Sequence, residues 1–310
     1  MPVYTSKSRS AVRTQLQPLF KWTGSKQRLL EQYQPHFFPE GTPRRFVDLF
    51  AGGLTTTLWV AERFPDTELV INDVNGELVH LYRTLAADPD GVLNEWQKCV
   101  DAWLPLTPEQ RKALYYVWRD EYCLHPGKYS DAYLAGHLMF MLQTNFNGMW
   151  KAYAKCNRRY STPPGTCTQG PAFFQASRLR AVAELLARPT TVITSVDFAD
   201  VPVQEGDYLY ADPPYRDSIV EYQGGFTEND QVRLADLLTS HNGIYAYSNK
   251  DIGDGFYERH FPGANIIPID ATYTAGRGTS VREVSEVLVT NFAGADSRTV
   301  QDFLDFEGLG

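Results

Sequence analysis

The stretch from residue 46 to residue 73 constrains the fold more than any other part of the chain. FVDLF (46–50) is a short apolar run ending in Ala51-Gly52-Gly53, a helix-like segment covers Thr55–Arg63, and LVIND (69–73) is a second apolar run stopped by an acid. Strand, glycine turn, helix and strand within about 30 residues make a βαβ unit, the building block of a doubly wound sheet. The same alternation returns late in the chain. A helix is expected near 175–187, strands at TTVIT (190–194) and DYLYAD (207–212), and a helix from Thr227 to about 239. Strands at IYAYSN (244–249), near 266–270 and near 286–292 follow.

Between these halves the pattern is helical from about 88 to 142. Thr107-Pro108-Glu109-Gln110 supplies an N-cap, a proline at N1 and a glutamine at N3, which opens a helix running to about Cys123. A further helix is expected over Asp131–Leu142, and residues 143–171 are polar, basic and turn-rich, with Asn147-Gly148 and Pro163-Pro164-Gly165 as turn signals. The expected organisation is an α/β body at 19–85 and 176–310, a mainly helical insertion at 86–175 and a flexible basic arm at 1–18. The 310 residues suit two domains or one with a large insertion.

No apolar run approaches the roughly 18 residues of a membrane span. The arm has no apolar core, so it is not a secretory signal, although its Ser/Arg content faintly resembles a transit peptide. Cys99, Cys123, Cys156 and Cys167 form no CxxC pair and are too sparse for a disulfide framework, which points to a reduced, cytoplasmic protein. His36, His80, His125, His137, His241 and His260 show no metal spacing. Cys156 and Cys167 flank a basic loop without further His or Cys partners, so no metal is expected.

The net charge of −8 argues at first against a nucleic acid partner, but its distribution argues otherwise. Met1 to Leu30 carries no acid and six cations, Lys7, Arg9, Arg13, Lys21, Lys26 and Arg28. Between Asp131 and Glu184 there is again no acid, with Lys151, Lys155, Arg158, Arg159, Arg178 and Arg180. Setting those twelve aside leaves 17 cations against 37 acids. An acidic body with two basic segments fits a polyanion at the segments, where neutralised phosphates release counterions.

Asp212-Pro213-Pro214-Tyr215 directly follows the apolar run Tyr208–Ala211, and ligands of open α/β sheets bind outside the carboxyl ends of strands. Two prolines fix φ and offer no N–H, so the Pro213 carbonyl is left as an acceptor. A carboxylate, a carbonyl and an aromatic face suit a planar ring with an exocyclic amine. The same residues also suit a bare Pro-Pro turn with a solvated acid. Ala51-Gly52-Gly53 suits a ligand close to the backbone, and Asp73 stands where an acid holds ribose hydroxyls. FAGGLT (50–55) is not GxGxxG, which favours an adenosine without phosphates over a dinucleotide.

Six boxes in order resemble the DNA adenine methyltransferases of the Dam type over about residues 19–292. Lys21-Trp22-Thr23-Gly24-Ser25-Lys26 is similar to the family's K-W-x-G-x-K box. Asp48–Gly53 and Ile71–Asn75 are similar to its first and second S-adenosylmethionine motifs, and Asp212–Tyr215 to its catalytic motif. Gln143–Lys151 resembles its DNA-contacting hairpin and Gly276–Leu288 a segment ending in Glu-x-Leu. The resemblance implies a Rossmann-like methyltransferase sheet whose last strand inserts antiparallel, with the insertion reading DNA. It implies S-adenosylmethionine at Trp22, Lys26, Phe50, Ala51, Gly52, Asp73 and Asp212, and, by a looser match, at Asp197 and Phe198.

The reaction implied is methyl transfer to the N6 amine of an adenine flipped from double-stranded DNA, by a monomer at Asp212, Pro213, Pro214 and Tyr215. Phe146, on the hairpin, would fill the gap and Asn147 would bond the orphaned base. Lys151 stands where similar enzymes carry a guanine-reading Arg; a lysine lacks the bidentate fork, so GATC is not implied. Arg158 and Arg277 are phosphate contacts in this reading. The alternatives are methylation of RNA adenine or of the cytosine N4 amine, and a non-catalytic DNA-binding protein of the same fold.

Overall fold

The computed structural model describes residues 16–39, 41–216, 225–274 and 281–294, and within these the side chains of 271–274 and 281–285 are left aside. Helix α1 (Leu30–Phe37) precedes β1 (Arg45–Asp48), α2 (Thr55–Arg63) and β2 (Glu68–Asn72). Helices α3 (Gly76–Ala87), α4 (Pro89–Trp103), α5 (Pro108–Leu124) and α6 (Asp131–Thr144) follow. Helix α7 (Ala176–Leu186) leads to β3 (Thr191–Thr194), β4 (Tyr208–Ala211), α8 (Glu228–Ser240) and β5 (Ile244–Lys250). The last elements are α9 (Phe256–His260), β6 (Asn265–Thr274) and β7 (Val281–Thr290).

The protein is a mixed α/β structure on one seven-stranded sheet of order β3-β2-β1-β4-β5-β7-β6. Strands β1 to β5 are parallel, with Val47 opposite both Val70 and Leu209. Strand β7 runs antiparallel between β5 and β6, pairing Ser248 with Leu288. Pro268, which has no N–H to donate, falls on the edge strand β6, where that loss is tolerated.

Strands β1 and β4 are buried along their whole length, so they read as continuous apolar runs rather than alternating ones. Successive side chains still point to opposite faces. Phe46, Tyr208 and Tyr210 enter one core, while Val47, Leu209 and Ala211 enter the other with Leu234 and Tyr247. The first core runs without a break from α1 and α3 into Trp96, Trp103, Tyr115 and Phe140 of α4, α5 and α6. Helix α6 is buried all round from Leu134 to Leu142, as a helix without a polar face must be. The Thr107 capping box is formed on both sides, and Thr227 caps α8 in the same way.

The hairpin expected over Gln143–Lys151 is not a ladder. Gln143 and Thr144 end α6, and a single antiparallel bridge joins Asn145 to Pro164. The N–H groups of Phe146, Gly165 and Ser161 still donate to the carbonyls of Pro163, Thr144 and Lys151, but between these pairs side chains take the backbone groups that a ladder would use. Asn145 accepts from the N–H of Gly148 at 3.0 Å and donates to the Met149 carbonyl at 3.1 Å, while Thr162 Oγ1 accepts from the N–H of Lys151 at 3.0 Å. Asn147 and Gly148 both have positive φ, 56° and 68°, and form the tip of a turn.

Candidate active site

The carboxyl ends of β1, β2 and β4 open into a cavity of about 610 Å³. The turn after β1 is held from both sides: the Ala51 N–H donates to the Asn72 carbonyl, and the Gly52 N–H donates to Asp73 Oδ2 at 2.9 Å. Asp73 Oδ1 accepts from the Asn75 N–H at 2.9 Å, so this carboxylate joins two loops at the cavity rim. Burial raises its pKa, against the pull of those two N–H groups. The bare glycines serve Trp22. A Cβ at Gly52 would lie 2.7 Å from the indole Nε1, and one at Gly53 2.8 Å from the Trp22 Cβ.

Lys26 ends beneath Asp212, not in solvent. Its side chain is 1% exposed, and Nζ lies 2.6 Å from Asp212 Oδ1 and 3.9 Å from Glu286 Oε2. Nζ also donates to the Tyr215 hydroxyl at 3.2 Å. Glu286, on β7, accepts from Tyr215 and, at 3.3 Å, from Tyr33, whose hydroxyl also meets Ser248 at 2.6 Å. Burial opposes the ammonium charge, but Asp212 and Glu286 more than offset this and raise its pKa. Burial pushes Asp212 up to about 6 although Lys26 pulls the other way. The site therefore holds its acid in a carboxylate–ammonium–carboxylate cluster beneath the cavity floor.

Phe50, Phe198 and Phe226 surround one wall with centroid separations of 5.6–5.8 Å. Asp197 caps the short turn at Phe198, and its Oδ1 accepts from Arg233 at 2.9 Å. Asp48, at the end of β1, also lines the cavity. Thr57 donates to its Oδ2 at 2.6 Å, whereas its buried Oδ1 has no hydrogen-bond partner among the described residues. Burial, helped by the nearby Asp212 and Asp73 carboxylates, pushes this carboxyl up to about 7, against the Thr57 hydroxyl and the Phe50 N–H.

The 146–149 turn is docked on the loop that carries Trp22 and Lys26. The Thr23 N–H donates to the Gly148 carbonyl at 3.0 Å, and a Cβ at Gly148 would lie 2.4 Å from the Lys21 carbonyl oxygen. Phe146 is 48% exposed, and Met149 and Trp150 line the cavity beside it. Arg158 is exposed on the basic loop and Lys151 half-buried, both away from the Asp212 cluster's hydrogen bonds. Arg277 lies outside the described residues. Cys156 approaches Cys123 and Asp120 to within 4.8 Å, Cys167 is not in that group, and Arg119 already holds the Asp120 carboxylate at 2.6 Å.

Sequence reasoning passed over Phe226, and it held Asp48 and Glu286 only inside the boxes Asp48–Gly53 and Gly276–Leu288, with no role of their own. Two of these had a signal, since an acid inside an apolar strand, FVDLF or VSEVLVT, must be partnered or functional once buried. No helix among the described residues is long and apolar enough to cross a membrane.

Comparison with known proteins agrees with this geometry. The chain is 24% identical over 291 residues to the type II methyltransferase M.MjaIII of Methanocaldococcus jannaschii, covering 90% of this chain and all of that protein. It is 29% identical over 294 residues to the type II methyltransferase M1.LlaDCHI of Lactococcus lactis subsp. cremoris, covering 89% and 96%. Against the retron Ec67 DNA adenine methylase of Escherichia coli it is 28% identical over 221 residues, 71% of each chain. Residues 22–274, from the Trp22 loop to the end of β6, match the model of one family, and the chain belongs to the D12 class of N6 adenine-specific DNA methyltransferases.

Proposed function

We propose that the chain transfers a methyl group from S-adenosylmethionine to the N6 amine of an adenine flipped out of duplex DNA. The observation that carries this reading is Asp212, at the carboxyl end of β4, anchored on Lys26 and opening onto the 610 Å³ cavity. That volume falls within the roughly 300–1,000 Å³ of small-molecule sites. The residues suit the methyl donor: the orphaned Asp48 Oδ1 is an acceptor for an ammonium, and Trp22 with Phe50, Phe198 and Phe226 offers apolar faces for a purine. Asp73, with Ala51 and Gly52, would hold the ribose, and Asp197 the edge of the purine. When bound, S-adenosylmethionine supplies an electrophilic methyl on a sulfonium.

The remaining chemistry belongs to the chain. The N6 lone pair is delocalised into the ring, so the amine must be drawn towards tetrahedral geometry. Asp212 and the Pro213 carbonyl accept hydrogen bonds from its two N–H groups, and the Asp212 carboxylate stabilises the positive charge that develops on nitrogen until one of those protons is released. Lys26 occupies Oδ1, which leaves Oδ2 for the amine. The Tyr215 ring stacks on the base, with its hydroxyl tied to Glu286 and Lys26. With the donor bound, in-line attack would need nitrogen and methyl about 3–3.5 Å apart, and these residues would set the position of the nitrogen.

Residues 86–175 form the recognition insertion in this reading, and residues 1–18 a basic arm along the phosphates. Phe146 fills the space left by the flipped base, Asn147 meets the orphaned partner, and Lys151 reaches a guanine as a single-point donor. Arg158 and Arg277 contact phosphates. Unstacking costs a few kcal/mol, which the docked turn and the cavity contacts offset.

The test is product identity. The protein is incubated with S-adenosylmethionine and unmethylated plasmid DNA, with total RNA in parallel, and nucleosides are analysed by mass spectrometry. N6-methyldeoxyadenosine in the DNA alone is expected. N4-methyldeoxycytidine or methylated RNA would overturn the substrate, and no product without cofactor binding would leave a DNA-binding protein of this fold.

A further inference from the structure

Neither Pro213 nor Pro214 has an N–H, so the backbone of this corner cannot hold itself by donating. It is held on the acceptor side. Gln231, one turn into α8, donates from Nε2 to the Pro214 carbonyl at 2.8 Å. Its Oε1 accepts from the Tyr247 hydroxyl at 2.8 Å, and that oxygen accepts from Asn249 Nδ2 at 2.8 Å. The three side chains are essentially fully buried, at 1% exposure or less for each residue.

The direction of this chain follows from its far end. Asn249 Oδ1 takes the N–H of Lys250 at 2.7 Å, which turns the Asn249 NH₂ towards Tyr247. The phenol has one proton to give, and it goes to Gln231 Oε1. Gln231 is thereby fixed with its NH₂ towards Pro214, an orientation that a side-chain amide alone does not define.

We infer that Gln231, Tyr247 and Asn249 are positioning residues for the methyl transfer. The ring sets φ of Pro214, and Gln231 sets its ψ by holding the carbonyl. With both torsions determined, the preceding peptide, whose oxygen is the Pro213 carbonyl, cannot swing. No donor among the described residues lies on that carbonyl, which leaves it available as the acceptor the amine requires. The inference rests on the reading of the Asp212 site as an amine methyltransferase.

Removing only the Tyr247 hydroxyl leaves the packing intact but takes the donor from Gln231 Oε1 and the acceptor from Asn249 Nδ2, so the Gln231 amide that holds the Pro214 carbonyl is no longer held in turn. The measurement is the single-turnover rate at saturating S-adenosylmethionine and DNA, with both dissociation constants determined alongside. Tyr247→Phe is expected to slow the rate roughly tenfold and Gln231→Leu towards a hundredfold, the range of a misplacement of about 1 Å. Both affinities should stay within about twofold, because neither residue lies on a surface the ligands touch. The double variant should be no slower than Gln231→Leu alone, since the hydroxyl acts only through Gln231.

A folded Tyr247→Phe with the wild-type rate, a loss confined to KM, or additive losses in the double variant would overturn the relay. If Gln231→Leu fails to fold, the isosteric Tyr247→Phe decides. Absence of any methyl transfer by the wild-type chain would overturn the underlying reading and the relay with it.

Discussion

Replacing Asp48 by asparagine should make the ligand-free protein more stable in alkali while weakening its hold on the methyl donor. The carboxyl is 1% exposed, takes its side-chain hydrogen bond from Thr57, and among the described residues has no partner on Oδ1 within hydrogen-bond geometry. Burial pushes it from an ordinary 3.8 up to about 7. Because the folded pKa lies above the unfolded one, the penalty for ionising Asp48 is absent below the unfolded value, grows as pH rises, and levels off above 7. At pH 8 it reaches about 4 kcal/mol, and at pH 5 about 2 kcal/mol. Asparagine removes that penalty but buries an NH₂ without an acceptor, at about 1–3 kcal/mol. Asp48→Asn is therefore expected to gain about 1–3 kcal/mol at pH 8 and almost nothing at pH 5. Urea unfolding of both proteins at the two pH values measures this, and the comparison cancels groups that titrate alike in both. S-adenosylmethionine affinity should fall roughly tenfold or more, because a charged acceptor is lost. A variant less stable than wild type at pH 8, or a difference equal at both pH values, would refute the reasoning.

Asp212→Asn should abolish turnover with little change in DNA affinity, measured by product formation and fluorescence anisotropy; substantial residual turnover would remove Asp212 from the chemistry. The same change takes the charge from a buried partner of Lys26, so thermal denaturation should show a loss approaching about 3 kcal/mol. In the wild-type protein, single-turnover rates should decline as pH falls through about 6, since the reactive form of Asp212 is the ionised one and burial raises its pKa. Gly148→Ala combines a φ of +68° with a Cβ 2.4 Å from the Lys21 carbonyl, so it should detach the 146–149 turn from the loop carrying Trp22 and Lys26. Weaker binding of both DNA and S-adenosylmethionine in calorimetry is expected, and an unchanged cofactor affinity would show that the two loops act independently.

What the residues announce locally, the structure contains. Thr55–Arg63 and the Thr107 box are carried by patterns a few residues long, where periodicity and capping act directly. The insertion of β7 between β5 and β6 has no such local cause; it was implied by the family resemblance and by no spacing. The hairpin over 143–151 misled because Asn147-Gly148 is a good turn pair, yet Asn145 and Thr162 compete for the backbone groups of the ladder. Lys26 and Asp212 each stood out in sequence, but their pairing across 186 positions did not. Gln231 was invisible, since a glutamine in the first turns of an amphipathic helix looks like a surface residue until the Pro214 carbonyl is placed beside it.

The cluster beneath Asp212 also has a consequence for the order in which the molecule comes together. Tyr33 reaches Ser248 and Glu286, 215 and 253 positions away, and Gln32 reaches the Asp270 carbonyl across 238. Contacts this distant close late, because the loop entropy must be overcome before they reward it. The βαβ unit and the helices can form while β7 is still unpaired, but the Lys26–Asp212–Glu286 group cannot. A chain emerging from the ribosome is therefore expected to build the cavity walls around Gly52 and Asp73 before the Lys26–Asp212–Glu286 group, which waits for the last strand to slot into the sheet.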